Sequence, residues 1–209
     1  LKPIRYTLLA DGPTDRALVS VIDWKLAKIT GIAERGFTSQ FIAGPAELSE
    51  RLRVGLVQYP CDLLFVHRDA ETTDGYADRY HQIQDAVRQL TRQQPTVIVV
   101  PVRMTEAWLL TGLSEIRKAA GNPNGSVHLQ LPSLENLENL PDPKDVLDAL
   151  LVKASELNGR RRKKFSRPSE LGWRRIRVAE LTQDFSSLRQ LSAFREFERQ
   201  IDEVAASFG

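Results

Sequence analysis

A single cysteine, Cys61, excludes an intramolecular disulfide and any cysteine-ligated zinc centre in this chain of 209 residues. It suits a reducing compartment, so a cytoplasmic location is expected. Its place before the apolar run Leu63–Val66 makes it a small core residue. No apolar run approaches the ~20 residues of a membrane helix, so no contact with a membrane is expected. The opening Leu1-Lys2-Pro3-Ile4-Arg5 lacks the apolar stretch and small-residue cleavage site of a signal peptide. Absent motifs exclude several phosphate chemistries. Gly12-Pro13-Thr14 is followed by no Gly-Lys-Ser/Thr, so it is not a phosphate loop. His67-Arg68-Asp69 spells a kinase triplet, but there is no glycine-rich loop, no Val-Ala-Ile-Lys, and Asp74 stands where the kinase asparagine belongs. A phospho-acceptor receiver would need an acid pair after the first strand and a late lysine strand, and neither is apparent.

What is present is ordinary globular composition, 42% hydrophobic and 27% charged, at a length that fills a core without staples. Ile4–Ala10, Thr38–Ile42, Asp62–His67 and Thr96–Val102 read as strands. Leu63-Leu64-Phe65-Val66 and Val97-Ile98-Val99-Val100 are continuously apolar, as in strands buried on both faces. Between them lie a helix running to about Ile29, a helix with Leu48, Leu52 and Leu56 on one face, and a helix over Tyr76–Arg92. A fourth follows over Thr105–Ala120. This alternation predicts an α/β fold with a mostly parallel, Rossmann-like sheet flanked by helices over residues 1–120. Residues 121–209 read as a helical, basic C-terminal part packed on that core, with helices over Pro143–Leu157, Gly172–Leu181 and Ala193–Phe208.

Four acids follow strand ends: Asp11 after the first, Asp69 and Glu71 after the third, and Glu106 after the fourth. The carboxyl ends of parallel strands share one edge, where such folds place their chemistry. Asp69 and Glu71 are two apart, so in extended chain both point to one side. Gathered together, four carboxylates repel unless a cation sits between them. An all-oxygen set suits Mg²⁺ first and Mn²⁺ second, an ion that activates water and stabilises charge on a phosphate. Taken singly, each acid has an ordinary explanation as a turn former, a loop acid or, for Glu106, a helix first-turn acid. His67 beside them is either a ligand or general base, or a merely hydrogen-bonded strand end. Net charge is only +2, yet Arg160-Arg161-Arg162-Lys163-Lys164, with Arg174 and Arg175 beyond, forms a strongly basic stretch. That stretch reads as a nucleic-acid path or a solvated loop. Trp173 beside Arg174 is the better candidate for base stacking, and Trp108 for core packing.

The turn Leu8-Leu9-Ala10-Asp11-Gly12-Pro13-Thr14-Asp15 resembles the first TOPRIM motif, with Asp11 where glutamate is usual. Asp69-Ala70-Glu71 resembles the second, Asp-x-Asp, with Glu71 for the second aspartate. The stretch Val100–Leu110, containing Glu106-Ala107-Trp108-Leu109, is similar to a bacterial TOPRIM-like family known as domain of unknown function 4276. The segments Ala119–Gly125 and Leu140–Lys144 resemble it too. The resemblance implies a TOPRIM-like fold and a Mg²⁺- or Mn²⁺-dependent nuclease of the overcoming-lysogenisation-defect type. Asp11, Asp69, Glu71 and Glu106 would be its metal-binding and catalytic acids. It implies cleavage of DNA or RNA phosphodiesters, alongside an ATPase partner in anti-phage defence. The departures at Asp11 and Glu71, and the lack of a lysine near the acidic strand tips, which Lys163 or Lys164 would have to supply, point to the alternative of an inactive TOPRIM-like binding subunit.

Overall fold

The computed structural model describes residues 4–30, 33–38, 47–72, 74–91 and 94–206. Strands β1 (Ile4–Leu9), β2 (Ala33–Thr38), β3 (Leu63–His67) and β4 (Thr96–Val99) form one sheet in the order β2-β1-β3-β4. Every pairing in it is parallel. The protein is therefore α/β, with a parallel sheet between helices. The second strand lies earlier than the sequence suggests, and residues 39–42 of the expected Thr38–Ile42 fall outside the described set.

Strand alternation sorts the core into two faces. Tyr6, Leu8, Leu63, Phe65, Val97 and Val99 face one side, and Leu9, Leu64, Val66 and Ile98 the other. The second face is covered by α2 (Leu48–Gln58) and α3 (Gly75–Arg88), which contribute Leu52, Ile83 and Ala86. The first face is covered by α1 (Leu18–Thr30) together with the C-terminal helices. These are α4 (Leu113–Ala119), α5 (Pro143–Ala154), α6 (Gly159–Phe165), α7 (Pro168–Leu181) and α8 (Ser192–Ala205). Phe194 and Phe197 of α8 pack with Trp108, at ring distances of 5.1 and 5.7 Å, and Phe197 reaches Phe65 of β3. The C-terminal part thus completes the core of the sheet. Gln200 of α8 also seals the sheet edge. Its carbonyl accepts from Ile98 N at 2.8 Å and its amide donates to Ile98 O at 3.2 Å, replacing the missing neighbour of β4.

The expected helix over Thr105–Ala120 is broken in two. Thr105–Leu109 is a 3-10 turn, and α4 begins only after Gly112, whose extended backbone (φ −127°, ψ 112°) stops the helix. The basic stretch, read as a loop, forms the short helix α6.

Candidate metal centre

Sheet order reverses between β1 and β3, because β1 connects forward to β2 on one side while β3 lies on the other. The carboxyl ends of these two strands lie at this switch point, the usual binding position in such sheets. Asp15, His67 and Asp69 meet there, each offering a ligand atom, all within 4.8 Å of one another.

Local structure places each of them. After β1 the chain enters a 3-10 turn, Pro13–Ala17, started by Pro13 and held by Gly12 N donating to Asp15 Oδ2 at 2.8 Å. His67 is the last residue of β3 and fully buried. By strand alternation it faces the same side as Phe65, and Asp69 follows on that side two residues later. Gly75 then comes back close to Ala70. A Cβ at position 75 would lie 2.4 Å from Ala70 O, so only glycine fits that close approach.

Hydrogen bonding fixes the imidazole. Nδ1 of His67 lies 3.0 Å from Val99 O, which can only accept, so Nδ1 carries a proton and Nε2 is the ring atom turned to the acids. Nε2 lies 3.5 Å from Asp69 Oδ1, 3.7 Å from Asp15 Oδ2 and 3.3 Å from Thr105 Oγ1. Thr105 N donates to Asp69 Oδ1 at 2.9 Å, and its hydroxyl lies 3.3 Å from the same oxygen. Nε2 and one oxygen of each carboxylate lie within 4.8 Å of one another, and an imidazole with two carboxylates is a donor set that suits a divalent cation. Burial raises the Asp69 carboxyl above its ordinary value, with the Asp15 charge adding to the rise and the His67 ring opposing it.

The four expected acids do not gather as a set. Asp69 is in the site. Asp11 is turned to Arg51 (2.9 Å) and Arg68 (3.2 Å). Burial would raise its carboxyl, but those two guanidiniums more than offset it and hold it low. Glu71 leaves the site because its φ is +64°, which swings the chain out of the extended form that would align it with Asp69. Glu71 is exposed and paired with Arg79 at 3.3 Å. Glu106 is nearly buried and lies beside Arg175 Nε at 3.2 Å, while Arg175 also donates to both oxygens of Asp148 at 2.8 and 2.7 Å. Burial raises the Glu106 carboxyl, with Arg175 opposing the rise and the Asp69 charge adding to it.

The expected nucleic-acid contacts divide. Arg160, Arg161, Arg162, Lys163 and Lys164 are exposed on α6. Arg174 is instead used internally, donating to Ala119 O at 2.7 Å and covering the Phe165 ring. Arg175, only 5% exposed, is a strut between two acids. Sequence reasoning passed over Asp15 because a residue just before a helical run reads as a cap. Its spacing in Asp11-Gly12-Pro13-Thr14-Asp15, one helical turn past a strand end, was the available signal.

The class defined so far is an α/β protein with a His/Asp/Asp site at the switch point of a parallel sheet. Comparison of the chain with family models, with curated proteins and with solved structures gave no match. No helix among the described residues is long and apolar enough to cross a membrane.

Proposed function

We propose that this protein is a divalent-metal-dependent phosphodiester hydrolase, a nuclease, with Asp15, His67 and Asp69 as its ligand set. The single observation that carries this reading is the convergence of those three ligand atoms within 4.8 Å at the switch point. Bound there, the ion supplies Lewis acidity toward a phosphoryl oxygen and an activated water. The chain does the rest. Val99 O holds the His67 ring in the Nδ1–H form, and Thr105 N fixes one Asp69 oxygen. An imidazole ligand shifts the metal preference from Mg²⁺, which keeps to oxygen, toward Mn²⁺. Cooperation with an ATPase in anti-phage defence rests on the TOPRIM resemblance alone.

A second reading, a non-catalytic binding subunit, is favoured by Asp11, whose carboxylate is already neutralised by Arg51 and Arg68. One experiment separates the two. Mn²⁺ binding by electron paramagnetic resonance is combined with cleavage of plasmid, single-stranded DNA and RNA. The wild type should bind and cut, and His67→Gln and Asp15→Asn should lose both while remaining folded. Metal binding without cleavage supports the second reading, and full cleavage by both variants refutes the first.

A further inference from the structure

Two surface features remain unused by the metal site. The first is charge. Residues 160–167 hold six cations, Arg160, Arg161, Arg162, Lys163, Lys164 and Arg167, and no Asp or Glu occurs between Glu156 and Glu170. All six side chains are exposed. Among the described residues none of them makes an ion pair or side-chain hydrogen bond, whereas the arginines that follow in α7 each find an acid. Crowding like charges on a seven-residue helix weakens it. Phe165, buried and stacked under Arg174 at 4.1 Å, anchors α6 regardless.

The second feature is Trp173, 59% exposed on the outer face of α7, with no ring or cation contact among the described residues. Its position is tied to the metal turn. The preceding residue, Gly172, packs so closely on the Asp15-bearing turn that a Cβ there would lie 3.2 Å from Thr14 Cγ2. Two positions further on, Arg175 holds Glu106. The helix α7 therefore touches the Asp15-bearing turn through Gly172 and exposes Trp173 to solvent, and the unpaired cations lie on α6, the helix just before it in the chain.

We propose that α6 and Trp173 form a docking track for single-stranded nucleic acid leading to the metal centre. This deepens the nuclease reading and depends on it for the track's purpose, though not for binding itself. The cations complement the sugar–phosphate backbone, and the open indole face stacks an unpaired base, as single-strand sites do. A duplex keeps its bases stacked internally and offers nothing to an indole on a helix surface. DNA and RNA share this chemistry.

The test is run in EDTA, so that failure of the metal reading leaves it interpretable. Fluorescein-labelled dT16, U16 and a 16-base-pair duplex are titrated at several salt concentrations with wild type, Trp173→Ala, Trp173→Phe and the triple variant Arg161→Gln/Lys163→Gln/Lys164→Gln. The track predicts tighter binding of dT16 or U16 than of duplex, with quenching of tryptophan fluorescence. Trp173→Ala should weaken single-strand binding roughly ten- to a hundredfold, and Trp173→Phe should retain most of it. The triple variant should lower the slope of log affinity against log salt by about two, at ~0.7 per phosphate. All these positions are exposed, so no variant should melt below wild type. Equal or tighter duplex binding, an unaffected Trp173→Ala, or displacement by an acidic peptide of equal charge as effective as dT16 would each overturn it.

Discussion

Asp69→Asn removes one charge from the candidate metal centre while keeping its shape, and its effect can be worked out beforehand. The ligand oxygens of Asp69 and Asp15 lie within 4.8 Å. Unit charges at that range repel by ~0.9 kcal/mol in bulk water and by ~3.5 kcal/mol at an effective dielectric near 20. Burial, aided by Asp15, keeps the Asp69 carboxyl protonated to higher pH than its ordinary value of 3.8. Its stabilising contribution is whole below that value and is lost as pH rises through the raised one, because the unfolded chain then binds fewer protons. At neutral pH the ionised Asp69 thus destabilises the metal-free fold. The amide oxygen of the variant still accepts from Thr105 N, a bond now 2.9 Å long. With EDTA at pH 7, Asp69→Asn should therefore gain ~1–3 kcal/mol, or about 2–10 °C in Tm for a protein of this size. Mn²⁺ at about a hundred times its Kd should raise the wild type by ~2.7 kcal/mol and leave the variant unmoved. Scanning calorimetry across pH 4–7 measures both, and the metal-free difference should widen as pH rises. A variant that melts lower than wild type in EDTA, with no Mn²⁺ shift in either protein, would show that the carboxylate is a structural acceptor and the metal reasoning mistaken.

Gln200→Leu strips both partners from Ile98 on the edge strand, leaving a buried N–H and C=O unpaired. The expected loss is ~2–5 kcal/mol, read as a lower urea midpoint at unchanged slope; a loss below ~0.5 kcal/mol would contradict the edge-sealing role. Arg175→Met leaves Glu106 and Asp148 facing each other without their cation. It should cost ~3–5 kcal/mol, partly restored by adding Glu106→Gln. Unchanged stability with weakened nucleic-acid binding would instead return Arg175 to the surface role its sequence context suggested.

Much of the fold was legible in local pattern. Continuous apolar runs such as Leu63–Val66 read as strands because a sheet buried on both faces needs no alternation, and alternating helices dictate parallel crossovers. Strand ends then put acids on one edge, and Asp69 follows from that alone. Pattern also located the unpaired cations of α6, though not the helix that carries them. What it could not decide were the directions of individual side chains. The left-handed backbone at Glu71 turned a same-side pair into a divergent one. The 3-10 turn Pro13–Ala17 exchanged Asp11, captured by Arg51 and Arg68, for Asp15. The capture of Glu106 by Arg175 joins segments far apart in the chain, and ion pairing of that kind leaves no local signature. Sequence alone placed the acids at one edge of the sheet; tertiary packing, which chooses the partner of every buried charge, decided which of them an arginine captures.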